Sequence, residues 1–154
     1  WCFMILLIAN TEFLLNGLFP DYVSFSRLPA GVYHALIFIF DIVSLLVLLA
    51  VITALVRRVA FRPSYIDALS RDAFTILALV AILMAAFFGM HASDIARGIT
   101  DAGSYMPVSG WVAATFMPGT SAGNLTIAAN VFWWIHALVL LAFLNYLPYS
   151  ICMC

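Results

Sequence analysis

Lysine is absent from the 154 residues of this chain, and six arginines supply all of its fixed positive charge. Seven acids against those six arginines leave a net charge of −1, so there is no basic patch to grip nucleic acid and no acidic tail to hold a cationic partner. Cysteine is scarce and odd in number: Cys2, Cys152 and Cys154 lie at the two ends and form no disulfide framework. The chain has no Cys-x-x-Cys, no glycine-rich phosphate loop, no nucleophile beside a base and no carboxylate pair at catalytic spacing, so no catalytic residue is expected. A charged leader is missing too. The sequence starts at Trp1 in mid-hydrophobic run, which is read as a single membrane domain, 1–154, cut from a longer chain.

What the chain has in quantity is apolar surface. Hydrophobic residues make up 66% and charged ones 8%, with a mean hydropathy of +1.14, whereas soluble domains are roughly half apolar and a quarter charged. Four long apolar runs, near 1–19, 32–56, 73–90 and 125–147, each approach the ~20 residues that a helix needs to cross about 30 Å of hydrocarbon. Turn chemistry separates them: Pro20 with Asp21, Pro29 with Gly31, Pro63 with Ser64, then a Gly- and Pro-containing stretch from Arg97 to Gly123. The runs lack the alternation of barrel strands, and an unpaired backbone cannot face lipid. The expected fold is therefore all-α, a transmembrane helical bundle of four spans, multi-pass in the inner (cytoplasmic) membrane.

Arginine asymmetry sets the expected orientation. Arg57, Arg58, Arg62 and Arg71 flank or occupy the connection between the second and third runs, against one arginine each, Arg27 and Arg97, in the other two. The arginine-rich connection is expected on the cytoplasmic side. In the stretch 98–120, read as an irregular loop, Trp111, Phe116 and Met117 are expected as anchors at the opposite membrane surface.

Ionisable groups inside spans are costly and mark function or helix contacts, which leaves Glu12, His34, Asp41, His91 and His136. His136 stands mid-way along the last run beside Trp133 and Trp134, where histidine serves as a haem or metal ligand or as a polar contact between helices. His34 and His91 stand near the non-cytoplasmic ends of the second and third runs and are its possible partners. Asp41 lies seven residues after His34 on the same helical face, with Ser44 nearby. A carboxyl at that depth handles protons near a quinone or bonds a neighbouring helix. Glu12 and Asn16, four residues apart, form a similar pair in the first run, and Cys152 with Cys154 gives a weak metal signal.

The stretch HALVLLAFLNYLPYS at 136–150 resembles the membrane domain of iron–sulfur oxidoreductases related to heterodisulfide reductase, a domain similar to the gamma subunit of respiratory nitrate reductase. WCFMILL, FDIVSLLVLLAVITALVRRVAFRP and SRDAFTILALVAILM look like its other spans, so the resemblance covers nearly the whole chain. It implies a haem b-containing domain that relays electrons between a quinone pool and iron–sulfur clusters carried by a cytoplasmic-side partner or a missing region. His136 matches a haem-iron ligand of that pattern. The pattern's tail continues Pro-Tyr-Ser-Lys with histidines shortly after, where this chain has Ile151, Cys152 and Cys154. Positions 136 and 154 are five turns apart at ~3.6 residues per turn, a spacing suited to two haems, and the cysteine at 154 removes the second one's expected ligand. The competing reading is a non-catalytic membrane subunit or small transporter that uses the same histidines and acids for helix contacts or a proton path.

Overall fold

The computed structural model describes residues 2–18, 29–60, 71–98 and 101–152. The expectations on Arg27, Arg62 and Cys154 fall outside these residues, as do the side chains of Glu12, Asn16, Arg71 and Cys152. Among the described residues the chain is all helical, with no strand: α1 (Cys2–Leu18), α2 (Ala30–Ala60), α3 (Arg71–Ala96), a 3-10 turn at Asp101–Ser104, α4 (Pro107–Phe116) and α5 (Ala122–Cys152).

Three helices are long and apolar enough to cross a membrane, over Ala30–Ala60, Ala73–Ala96 and Ala122–Tyr146. α1 has 17 residues, about 25 Å of helix at 1.5 Å per residue, somewhat short of a hydrocarbon core. Of the four spans expected, three are present at full length among the described residues, and α1, over the first expected run, is shorter. Polar side chains within the helices turn back on their own backbone: Asn10, Thr53, Ser93, Thr126 and Asn145 each donate to the carbonyl four residues earlier, at 2.7–2.9 Å. That local bond is what makes such residues tolerable away from water.

Helices α2, α3 and α5 extend past the expected runs, and α4 lies where a loop was expected. α3 runs to Ala96 rather than ending near 90, because Ser93 bonds the Gly89 carbonyl and is fully buried, so the polar residues after Met90 do not break the helix. His91 therefore sits inside the helix rather than at its end. The stretch read as an irregular loop contains α4, which begins with Pro107 in the first turn, where a missing N–H costs nothing. α5 continues through Pro148 to Cys152.

The core lies where α3 and α5 cross. Leu83, Met84 and Leu140 are buried there, with Leu6, Phe13 and Leu14 of α1 and Val47 and Leu48 of α2 packed around them. Gly89 allows the close approach: a Cβ at this position would lie 2.8 Å from three carbons of the Phe132 ring. The outer face of α5 is apolar as well, with Ile127, Val131, Trp134, Leu138 and Leu141 between 47% and 63% exposed. In water such a stripe would aggregate, and in lipid it is solvated.

Candidate functional site

A cavity of about 290 Å³ lies beside this crossing, at the small end of the range for ligand pockets. α1 contributes Asn10 and Phe13, α2 contributes Phe40 and Ser44, α3 contributes Met84, Phe87, Met90 and His91, and α5 contributes Trp133 and His136; Met106, just before α4, completes the wall. Most of the lining is thioether or aromatic, and the polar atoms among it are few.

His136 is 2% exposed and is held on both sides. Its Nδ1 lies 3.2 Å from the Leu83 carbonyl oxygen and its Nε2 lies 2.9 Å from Asn10 Oδ1. Asn10 is oriented by its own Nδ2, which donates to the Leu6 carbonyl at 2.8 Å. Phe13 stands edge-on to the imidazole with ring centroids 4.6 Å apart. His91 faces the same cavity from α3, and the Phe87 ring lies 4.5 Å from His91 and 6.4 Å from His136. The two histidines, 45 positions apart in sequence, are thus brought to one site by the α3–α5 crossing.

His34 goes elsewhere. Its ring stacks on Tyr105 at 3.7 Å with planes 6° apart, near the outer end of α2, and it does not line the cavity. Asp41 is fully buried and serves α4. Val108 N–H donates to Oδ2 at 2.7 Å, Ser109 N–H to Oδ1 at 3.3 Å, and the Ser109 hydroxyl to Oδ1 at 2.6 Å. The residue at the N-cap position of α4, Met106, makes no side-chain cap of its own. A carboxylate from another helix fills that role and meets the positive end of the helix dipole. Asp41 is about 16 Å along α2 from Ala30, so α4 starts well inside the bundle. Of the two readings of Asp41, the bond to a neighbouring helix is the one this geometry displays.

Ser44, one turn after Asp41, lines the cavity with its Oγ fully buried and without a hydrogen-bond partner among the described residues. Among the described residues no three of His, Cys, Asp and Glu come close enough to hold a metal ion between them. Sequence reasoning did not single out Asn10, Ser109, Met84 or Met106. The available signal for Asn10 was an amide inside an apolar run, which in lipid needs a partner. No model of a known protein family matches the chain, and no curated protein or solved structure matches it.

The cavity offers a bound group two imidazoles. His91 and His136 face a largely apolar and aromatic space from separate helices, and histidine is among the residues that hold haem iron. A metal-binding histidine usually donates its second N–H to a carbonyl or carboxylate, and the Leu83 carbonyl is in place for Nδ1 of His136.

Proposed function

We propose that the chain is the haem b-containing membrane domain of a quinone-linked oxidoreductase, in which His136 and His91 would hold the haem. The observation that carries this reading is that both imidazoles line one cavity while a backbone carbonyl faces the far nitrogen of His136. Bound haem would supply one-electron transfer, and the protein's part is to ligate it, bury it and keep water away. Met84, Met90 and Met106 with Phe13, Phe40 and Phe87 provide the apolar wall. Electrons would pass between a quinone in the bilayer and iron–sulfur clusters on a cytoplasmic partner or a further region of the protein. In this reading α1 acts as a fourth, short span, the membrane is the cytoplasmic membrane, and the Arg57 and Arg58 end of α2 faces the cytoplasm. His91 replaces His34 as the partner of choice because His34 is engaged with Tyr105 outside the cavity.

The test is spectroscopic. Full-length protein purified with haem supplied is expected to show b-type bands in a reduced-minus-oxidised spectrum. His136→Ala and His91→Ala should each lose them while still inserting at normal size, and His34→Ala should keep them. Full haem retention in His136→Ala overturns the assignment.

One observation favours a second reading, a non-catalytic membrane subunit. His136 already ties α5 to α3 and α1, and Asp41 ties α2 to α4, through hydrogen bonds, as structural groups do. A colourless preparation under the same conditions decides for it.

A further inference from the structure

We propose that Asn10 is a positioning residue that competes with haem iron for Nε2 of His136, and so weakens the histidine as a ligand; the inference rests on the haem reading above. Two acceptors face one imidazole. Nε2 of His136 faces Asn10 Oδ1 at 2.9 Å and Nδ1 faces the Leu83 oxygen at 3.2 Å, so both ring nitrogens meet acceptors. A neutral imidazole carries one proton and can satisfy only one of them.

Turning the Asn10 amide over does not resolve this. Its Nδ2 already donates to the Leu6 carbonyl at 2.8 Å, and the flipped amide would set Oδ1 against that carbonyl instead. The two oxygens therefore select different tautomers. With the proton on Nε2, Asn10 is served and the lone pair of Nδ1 faces the Leu83 oxygen. With the proton on Nδ1, Leu83 is served and the lone pair of Nε2 is left facing the cavity side, where Asn10 stands. Only the second form has an electron pair to give to a metal at Nε2. Binding a haem iron at Nε2 would form one Nε2–iron bond at the expense of one hydrogen bond to Asn10. The ring keeps a single proton, now on Nδ1, and no electron is transferred.

A purely structural role for Asn10 predicts the opposite sign. If the amide only ties α1 to α5, removing it loosens the cavity and lowers stability and haem affinity together. If it competes for Nε2, removing it lowers the stability of the haem-free protein and raises haem affinity.

The experiment titrates the haem-free full chain in detergent micelles with haem b, following absorbance, and measures the melting temperature of the haem-free protein in parallel. Asn10→Leu keeps the branched side-chain shape without an acceptor, and Asn10→Ala removes the side chain beyond Cβ. Both are expected to bind haem about fivefold more tightly than the unsubstituted chain, the factor that one ordinary hydrogen bond represents, and to melt lower without haem. Asn10→Asp, which holds the Nε2 proton more firmly, is expected to bind several-fold more weakly. The gain must vanish when His136→Ala is added. Affinity that falls in step with stability in both the Leu and Ala variants, or a gain that survives the loss of His136, overturns the inference. Should the unsubstituted chain and His136→Ala bind haem equally, the haem reading fails and this inference goes with it. Dependence on His136 together with indifference to Asn10 sinks the inference alone.

Discussion

Asp41 offers the most direct test of how the bundle is held. Its two oxygens accept from Val108 N–H, Ser109 N–H and the Ser109 hydroxyl, and the residue is fully buried. Asp41→Ala leaves the buried Ser109 N–H and the part-buried Val108 N–H of α4 without this acceptor, while the hydroxyl can rotate away. A buried donor stripped of its partner costs about 1–3 kcal/mol, so Asp41→Ala should lower unfolding free energy by about 3 kcal/mol. Asp41→Asn keeps one carbonyl oxygen for the backbone donors, and the Ser109 hydroxyl can turn to accept from the new NH2, so its cost should be about 1 kcal/mol. Ser109→Ala removes the 2.6 Å bond alone, again about 1 kcal/mol, and should be non-additive with Asp41→Ala because the two share that bond. Unfolding by denaturant in micelles measures the totals. A local probe is Ala113→Cys, on the buried side of α4, in a background where Cys2, Cys152 and Cys154 are serine. Its thiol should react at least tenfold faster when Asp41 is alanine, since a lost cap frees the helix start. An Asp41→Ala variant within about 0.5 kcal/mol of the parent, or an Asn variant as harmful as Ala, refutes the capping role of Asp41.

Gly89→Ala should destabilise the chain by about 1–3 kcal/mol through overpacking, because its Cβ would press on the Phe132 ring at 2.8 Å; unfolding measurements should show Phe132→Leu recovering much of the loss, and an additive double variant would contradict the contact. Orientation is open to thiol labelling of intact cells. Thr120→Cys, exposed before α5, should react with an impermeant reagent added outside, whereas Ala60→Cys, exposed next to Arg57 and Arg58, should not; the reverse pattern inverts the side assigned to every histidine.

The composition determined a good deal by itself. With 8% charge and long apolar runs, helices were the available way to satisfy the backbone in lipid, and those helices are where the runs are. The same scarcity of charge made the buried ionisable residues stand out, so Asp41, His91 and His136 were legible as sites of interest. Their partners were not. In a soluble helix an apolar stripe marks the inward face, but here both faces are apolar: Leu138 looks outward and Leu140 inward, and nothing in their types separates them. Without that periodic signal the sequence does not say which faces meet. α4 was obscured for a related reason, since its cap is an aspartate 67 residues earlier than Val108 rather than a residue beside it. The tertiary structure alone decided that Asp41 caps α4 and that His34 stacks on Tyr105. It also decided that Asn10 meets His136 across 126 positions and that His91 shares their cavity. Each of these depends on how helices cross, which is fixed by the close packing at Gly89 and by a few buried hydrogen bonds rather than by any local pattern.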